Sequence, residues 1–268
     1  MPNLLIIAIV CFLASTLGPL CGIGGGVIIK PIVDSLGVMG MATTSFLSSL
    51  TVLTMSLSTL VQQGWARARH PERPATPYPP TALPLSIGAA TGGVAGKVVF
   101  NAIHGSLASA ETVGAIQAAV LFALSAATIV YTLLRSRVGT LHVAGAVPSA
   151  LIGAVTGAMW AFLGNGGGPF NLVILTLLFS EQTRAVARES ILIIAFSQVA
   201  SLVYTIASGS VPAFEPLMLV MMAAMAVAGS VAGKRIASRI TDRGTDVLYA
   251  LTLIVVMLLC ARNFLVLL

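Results

Sequence analysis

The sequence predicts an all-α integral membrane protein made of two inverted repeats, each a re-entrant, discontinuous helical hairpin followed by three transmembrane helices. Three observations lead there. The 268 residues are 57% apolar and 8% charged, with a mean hydropathy of +1.01, far from the roughly 25% charged residues of a soluble domain. Apolar stretches approaching the ~20 residues of a spanning helix follow one another along the chain. A glycine cluster occurs twice within such sequence, as Gly22-Ile23-Gly24-Gly25-Gly26 and Gly164-Asn165-Gly166-Gly167-Gly168.

The first repeat, 1–137, opens with a hairpin over 4–36: Leu4–Leu20, the first cluster, and the short stretch Val27–Leu36. Each glycine costs a helix roughly 1 kcal/mol relative to alanine. Their concentration therefore serves an unwound turn, which lipid tolerates only where the backbone is buried in protein or lines a cavity. Met1-Pro2-Asn3 supplies no basic charge ahead of the first stretch, so it reads as structure rather than as a leader. Helices follow at about 41–62, 81–100 and 112–134. The second repeat, 138–268, has its hairpin at 142–180, where Pro169 suits the first turn of a new helix. Its helices lie at about 186–208, 215–234 and 245–268.

Duplication shows in the order of landmarks. Gly92-Gly93-Val94-Ala95-Gly96-Lys97 returns as Gly229-Ser230-Val231-Ala232-Gly233-Lys234, and Ala42-Thr43-Thr44-Ser45 overlays Ala187-Arg188-Glu189-Ser190. Charge then separates parallel from inverted halves. If every apolar stretch crosses the membrane, Lys and Arg divide almost evenly, against the positive-inside rule. If each cluster is the tip of a re-entrant hairpin, one side carries Arg67, Arg69, Arg73, Arg135, Arg137, Arg184, Arg188, Lys234, Arg235, Arg239 and Arg243. The other carries only Lys30, Lys97 and Arg262. With three crossings per half, the second repeat is upside down relative to the first. Both termini then lie on the outer side of the cell membrane.

A short helix starting after each cluster would aim unpaired N–H groups at the bilayer midplane, an anion site built from backbone. Gly22, Gly24, Gly25, Gly26, Gly164, Asn165, Gly166, Gly167 and Gly168 are its candidate residues, with Asn171 one turn on. Hydroxyls on the following helices, Thr43, Thr44, Ser45 and Ser190, are candidate oxygen ligands, although interhelical packing explains them equally well. Lys30, a charge within a hairpin arm, is a candidate by default; Asp34, four residues on, competes for it. Arg188 stands beside the second hairpin opening, in a charged group with Glu181, Arg184 and Glu189 that also suits a solvated helix start. The spacing of Gly92/Gly96 and Gly229/Gly233 favours helix packing, and a homodimer through these faces is the one protein partner the sequence offers.

No cofactor or metal is expected. Cys11, Cys21 and Cys260 form no paired motif and His70, His104 and His142 lie in separate connections. The net charge of +6 sits in loops beside spans, which excludes a nucleic-acid role, and no nucleophile with a base argues for an enzyme.

At the two clusters, the first followed by Pro31, and in its two-half organisation, essentially the whole chain resembles the TauE/SafE family of membrane permeases, often described as sulfite exporters. The second cluster is followed by Pro169 and Asn171 in place of the Lys30-Pro31 arrangement. The resemblance implies transport of small sulfur-containing or organic anions, such as sulfite or sulfonates. The expectation is a secondary transporter working by alternating access around a midplane site. An anion channel using the same site and a membrane thiol carrier are the alternatives.

Overall fold

The computed structural model describes residues 2–69, 78–106, 110–134, 137–164, 170–180 and 183–267. Within them lie α1 (Pro2–Cys21), α2 (Gly26–Leu36), α3 (Met41–Arg69), α4 (Ala82–Ser106), α5 (Ala110–Leu134), α6 (Ala146–Leu163), α7 (Phe170–Phe179), α8 (Thr183–Ala207), α9 (Pro216–Ala237) and α10 (Asp242–Leu267), and no strand. Eight have the length and apolarity to cross a membrane, which makes this a multi-pass membrane protein. The exceptions are α2 and α7, 11 and 10 residues long; at 1.5 Å per residue they reach ~15 Å, half the hydrocarbon thickness. Both follow a glycine cluster. Several helices overrun the apolar stretches that predict them, α3 continuing to Arg69 and α4 to Ser106. A helix bonds its own backbone in water as well as in lipid, so it need not stop where hydropathy does.

The burial pattern suits lipid outside. Leu5, Ile9 and Leu13 of α1, Leu151 and Val155 of α6, and Leu251, Ile254 and Leu258 of α10 are exposed, while Ser, Thr, Gln, Asn and two Lys side chains are buried. Apolar side chains form two main clusters. Val27, Ile28 and Ile29 of α2 share one with Phe46 and Leu47 of α3 and Trp160 and Leu163 of α6. Leu20, Cys21 and Ile23 share the other with Leu172 and Leu175 of α7 and Val186 and Ile193 of α8.

The pairings have a pattern. Helix α1 packs on α9, as α6 does on α4; α3 packs on α9, as α8 does on α4; α2 packs on α10, as α7 does on α5. In addition, α3 meets α8 and α5 meets α10. Advancing each helix number by five turns these pairings into one another.

Two of the interfaces are backbone against backbone. A Cβ on Gly88, Gly92 or Gly96 would collide with the carbonyl oxygen of Ala150, Ala154 or Ala158, and Gly153 and Gly157 sit in the same way on Leu85 and Ala89. On α9, a Cβ on Gly229 or Gly233 would come within 2.5 Å of the carbonyl oxygen of Phe12 or Thr16. Small residues let helices approach this closely, where dispersion rather than water exclusion holds them. The glycine faces that the sequence offered to a second copy are therefore occupied within the chain, by α6 and α1.

The α6–α7 pair doubles back. Leu141 N donates to Leu177 O at 2.7 Å and Val143 N to Leu178 O at 2.8 Å, joining the chain before α6 to the end of α7. Ser180, at φ +58°, donates its hydroxyl to Thr140 Oγ1 at 2.7 Å and closes the base.

Candidate functional site

At the first break, Gly22 turns left-handed at φ +67°, a conformation that costs a side-chain-bearing residue about 1–2 kcal/mol. A Cβ there would lie 2.6 Å from Ala187 Cα, so the turn is pressed onto α8. Gly25 lies on α1, where a Cβ would be 3.0 Å from Ala14 O. Val27 N bonds Gly24 O at 3.1 Å, and Ile28 N bonds Gly25 O at 3.0 Å. The buried amides of Gly24, Gly25 and Gly26 precede these bonds, and among the described residues none has an acceptor.

At the second break, Gly164 caps α6 at φ +65°. A Cβ on it would lie 2.6 Å from Ser45 Oγ and 3.3 Å from Lys30 Cε. Each left-handed glycine thus abuts the opening turns of the third helix in the other half: Gly22 on α8, Gly164 on α3. Asn165, Gly166, Gly167 and Gly168 lie outside the described residues, as do Pro169, Glu181 and the side chain of Arg184. Asn171 is buried in α7; its Oδ1 accepts from the Trp160 indole at 2.9 Å, while its Nδ2 has no partner.

The hydroxyl candidates divide. Thr43 donates to Ala213 O of the segment before α9 at 3.0 Å, and Thr44 donates to Gly40 O one turn back at 3.2 Å. Ser45 and Ser190 are buried with no partner, as are Ser48 and Ser56 of α3 and Ser197 and Ser201 of α8. Arg188 lies over the Tyr78 ring at 4.5 Å. Burial pushes the Tyr78 phenol up, with Arg188 pulling against it, and the protonated hydroxyl donates to Gln63 Oε1 at 3.3 Å.

Lys30, 5% exposed, pairs with Asp34 at 2.7 Å. It lines a cavity of about 30 Å³ with Gln117, Cys260 and Asn263, large enough for water and too small for an oxyanion. Gln117 donates to Phe162 O at 2.6 Å and Asn263 to Pro31 O at 2.8 Å, which ties α5 and α10 to the two hairpins.

A larger cavity, of about 240 Å³, lies where α3 begins and where α4 and α8 end. Lys97, Asn101, Thr205 and Ser210 line it together with Phe46, Phe100 and Pro212. A second cavity, of only about 10 Å³, shares Phe46, Lys97 and Thr205 with it and is also lined by Ser49, Gln198 and Ser201. Lys97 is 8% exposed and lies 5.3 Å from the Phe100 ring centroid; among the described residues no carboxylate pairs with it. None of the residues selected from sequence lines this cavity. The missed signal is a lysine inside the predicted span 81–100, passed over because Lys97 also ends a repeated glycine motif.

Helices of spanning length with buried ammonium groups and hydroxyls define a multi-pass membrane protein. The chain belongs to the TauE/SafE family: the family model described as sulfite exporter TauE/SafE matches residues 7–261. That family comprises membrane transporters of sulfur anions rather than enzymes. Comparison with curated proteins and with solved structures finds no match.

Proposed function

We propose that the chain is a secondary transporter that carries a small anion, a sulfur oxyanion or organosulfonate such as sulfite, across the cell membrane by alternating access between inverted halves. The observation that carries this reading is the reciprocal burial of the two helix breaks: Gly22 on α8 and Gly164 on α3, with unbonded amides at Gly24 to Gly26 and unpartnered hydroxyls at Ser45 and Ser190. Amides at the start of a helix favour negative charge. Two broken helices in corresponding places mark a transporter's site.

Duplication is supported by the pairings that survive a shift of five helices, and inversion by the doubling back of α6 and α7 as a hairpin. Alternation is supported by an asymmetry between matching surfaces. Between α4 and α8 the cavity at Lys97 is open. On the matching surface between α9 and α3, Lys234 Nζ donates to Gln62 O at 2.7 Å, Ser58 and Ser230 bond at 2.8 Å, and Gln62 Nε2 reaches both hydroxyls at 3.1 Å. One route is open while its counterpart is latched.

The test is counterflow in proteoliposomes. Labelled sulfite or ethanesulfonate is expected to accumulate against an excess of the same unlabelled anion inside, and to saturate. Single-channel currents without counterflow would replace the carrier by a channel.

A further inference from the structure

We infer that the cavity at Lys97 is the docking site of the transported anion, and that it selects a monovalent anion with a short apolar body over a divalent inorganic oxyanion. This rests on the transport reading above and deepens it: the charged group that meets the anion is Lys97, away from the glycine breaks.

A buried ammonium without a carboxylate is costly in the apolar interior and persists where it has a use. Lys30 is neutralised by Asp34 at 2.7 Å; Lys97 has, among the described residues, the face of Phe100 at 5.3 Å and no carboxylate. Lys97 also lines both this cavity and the smaller one beside it. In the smaller cavity Ser201 Oγ is buried and, among the described residues, without a partner, a hydroxyl able to donate.

The walls set the class of ligand. The lining combines polar groups from Lys97, Asn101 and Ser210 with the apolar side chains of Phe46, Phe100 and Pro212. A doubly charged inorganic oxyanion would find a single cation and would lose water against the aromatic wall without compensation. An anion with one charge and a two- or three-carbon body matches both sets of groups.

The repeat counterpart serves as the control. Lys234 is exposed and held by Gln62 O, so it is not part of this cavity.

The test measures thermal stabilisation of the purified full chain by ethanesulfonate, propionate, sulfite and sulfate, since a ligand of the folded state raises the melting point. Ethanesulfonate or propionate is expected to act at lower concentration than sulfite or sulfate. Lys97→Gln is expected to need on the order of tenfold to a hundredfold more of the organic anion, the span for losing a hydrogen bond to a charged group. The same variant should melt higher than wild type without ligand, because an uncompensated buried charge is gone. Lys97→Arg should restore part of the binding, and Lys234→Gln should bind as wild type. Ala42→Leu, which fills the cavity while leaving the lysine in place, should also weaken binding, and it serves if Lys97→Gln does not fold. Wild-type binding in Lys97→Gln or in Ala42→Leu would overturn the site, and tighter binding of sulfite or sulfate would overturn the ligand class. Counterflow separates this inference from the transport reading: unchanged counterflow in Lys97→Gln defeats the inference alone, whereas wild-type binding at Lys97 without counterflow defeats transport alone.

Discussion

Gly25 shows how one missing Cβ decides a site. Its backbone is right-handed, at φ −53°, so conformational freedom does not require glycine there. Proximity does: a Cβ would lie 3.0 Å from Ala14 O, and anything longer would push α2 away from α1. Gly25→Leu is therefore expected to abolish counterflow while membrane insertion and yield persist; wild-type flux in that variant would remove the first break from the mechanism. Asn171 makes a different residue-scale argument. Its carbonyl holds the Trp160 indole at 2.9 Å while its Nδ2 stays unbonded. Asn171→Leu leaves a buried indole N–H without an acceptor, at a cost of about 1–3 kcal/mol. A lowered melting point would show that cost, and an unchanged one would place the Trp160 bond outside the stability of the fold.

Elements carry the latch. Ser58, Gln62, Ser230 and Lys234 join α3 to α9 through three hydrogen bonds of 2.7–3.1 Å, whereas the matching position on α4 is Gly93, which faces Ser197 and Ser201 of α8 without a side chain to bond them. The difference was readable in the repeated motif, where Ser230 overlays Gly93; its meaning was not, because sequence does not say which neighbour either residue faces. Removing the latch with Gln62→Ala and Ser230→Ala is expected to bias the protein towards opening between α3 and α9. A cysteine placed at Ser58 should then react faster with a water-soluble maleimide than in the parent, and equal rates would show that the bonds gate nothing.

At the scale of the molecule, the helix inventory and the two interruptions were legible because hydropathy and glycine spacing are local signals. Thr43 and Thr44 illustrate what was not: a hydroxyl at a helix start looks the same whether it meets a ligand or, as here, a backbone carbonyl. Lys30 and Lys97 illustrate it again. Asp34 lies one turn from Lys30 and its pairing can be read from spacing, while the cavity at Lys97 is assembled from α3, α4, α8 and the segment after α8, which no local pattern connects. Orientation belongs to this scale as well. Impermeant labelling of cysteines added at the two termini of intact cells is expected to modify both, and labelling of one alone would break the inverted arrangement.

The glycine contacts between α4 and α6, and between α1 and α9, carry a mechanical consequence. With no side chains between them to act as bearings, the paired helices behave like bolted beams, and each beam joins the first helix of one half to the fourth of the other. The rigid parts of this machine are then hybrids of the two halves, and any stroke has to be sought at the seams between these beams and the remaining helices, where α3 meets α9 and α8 meets α4.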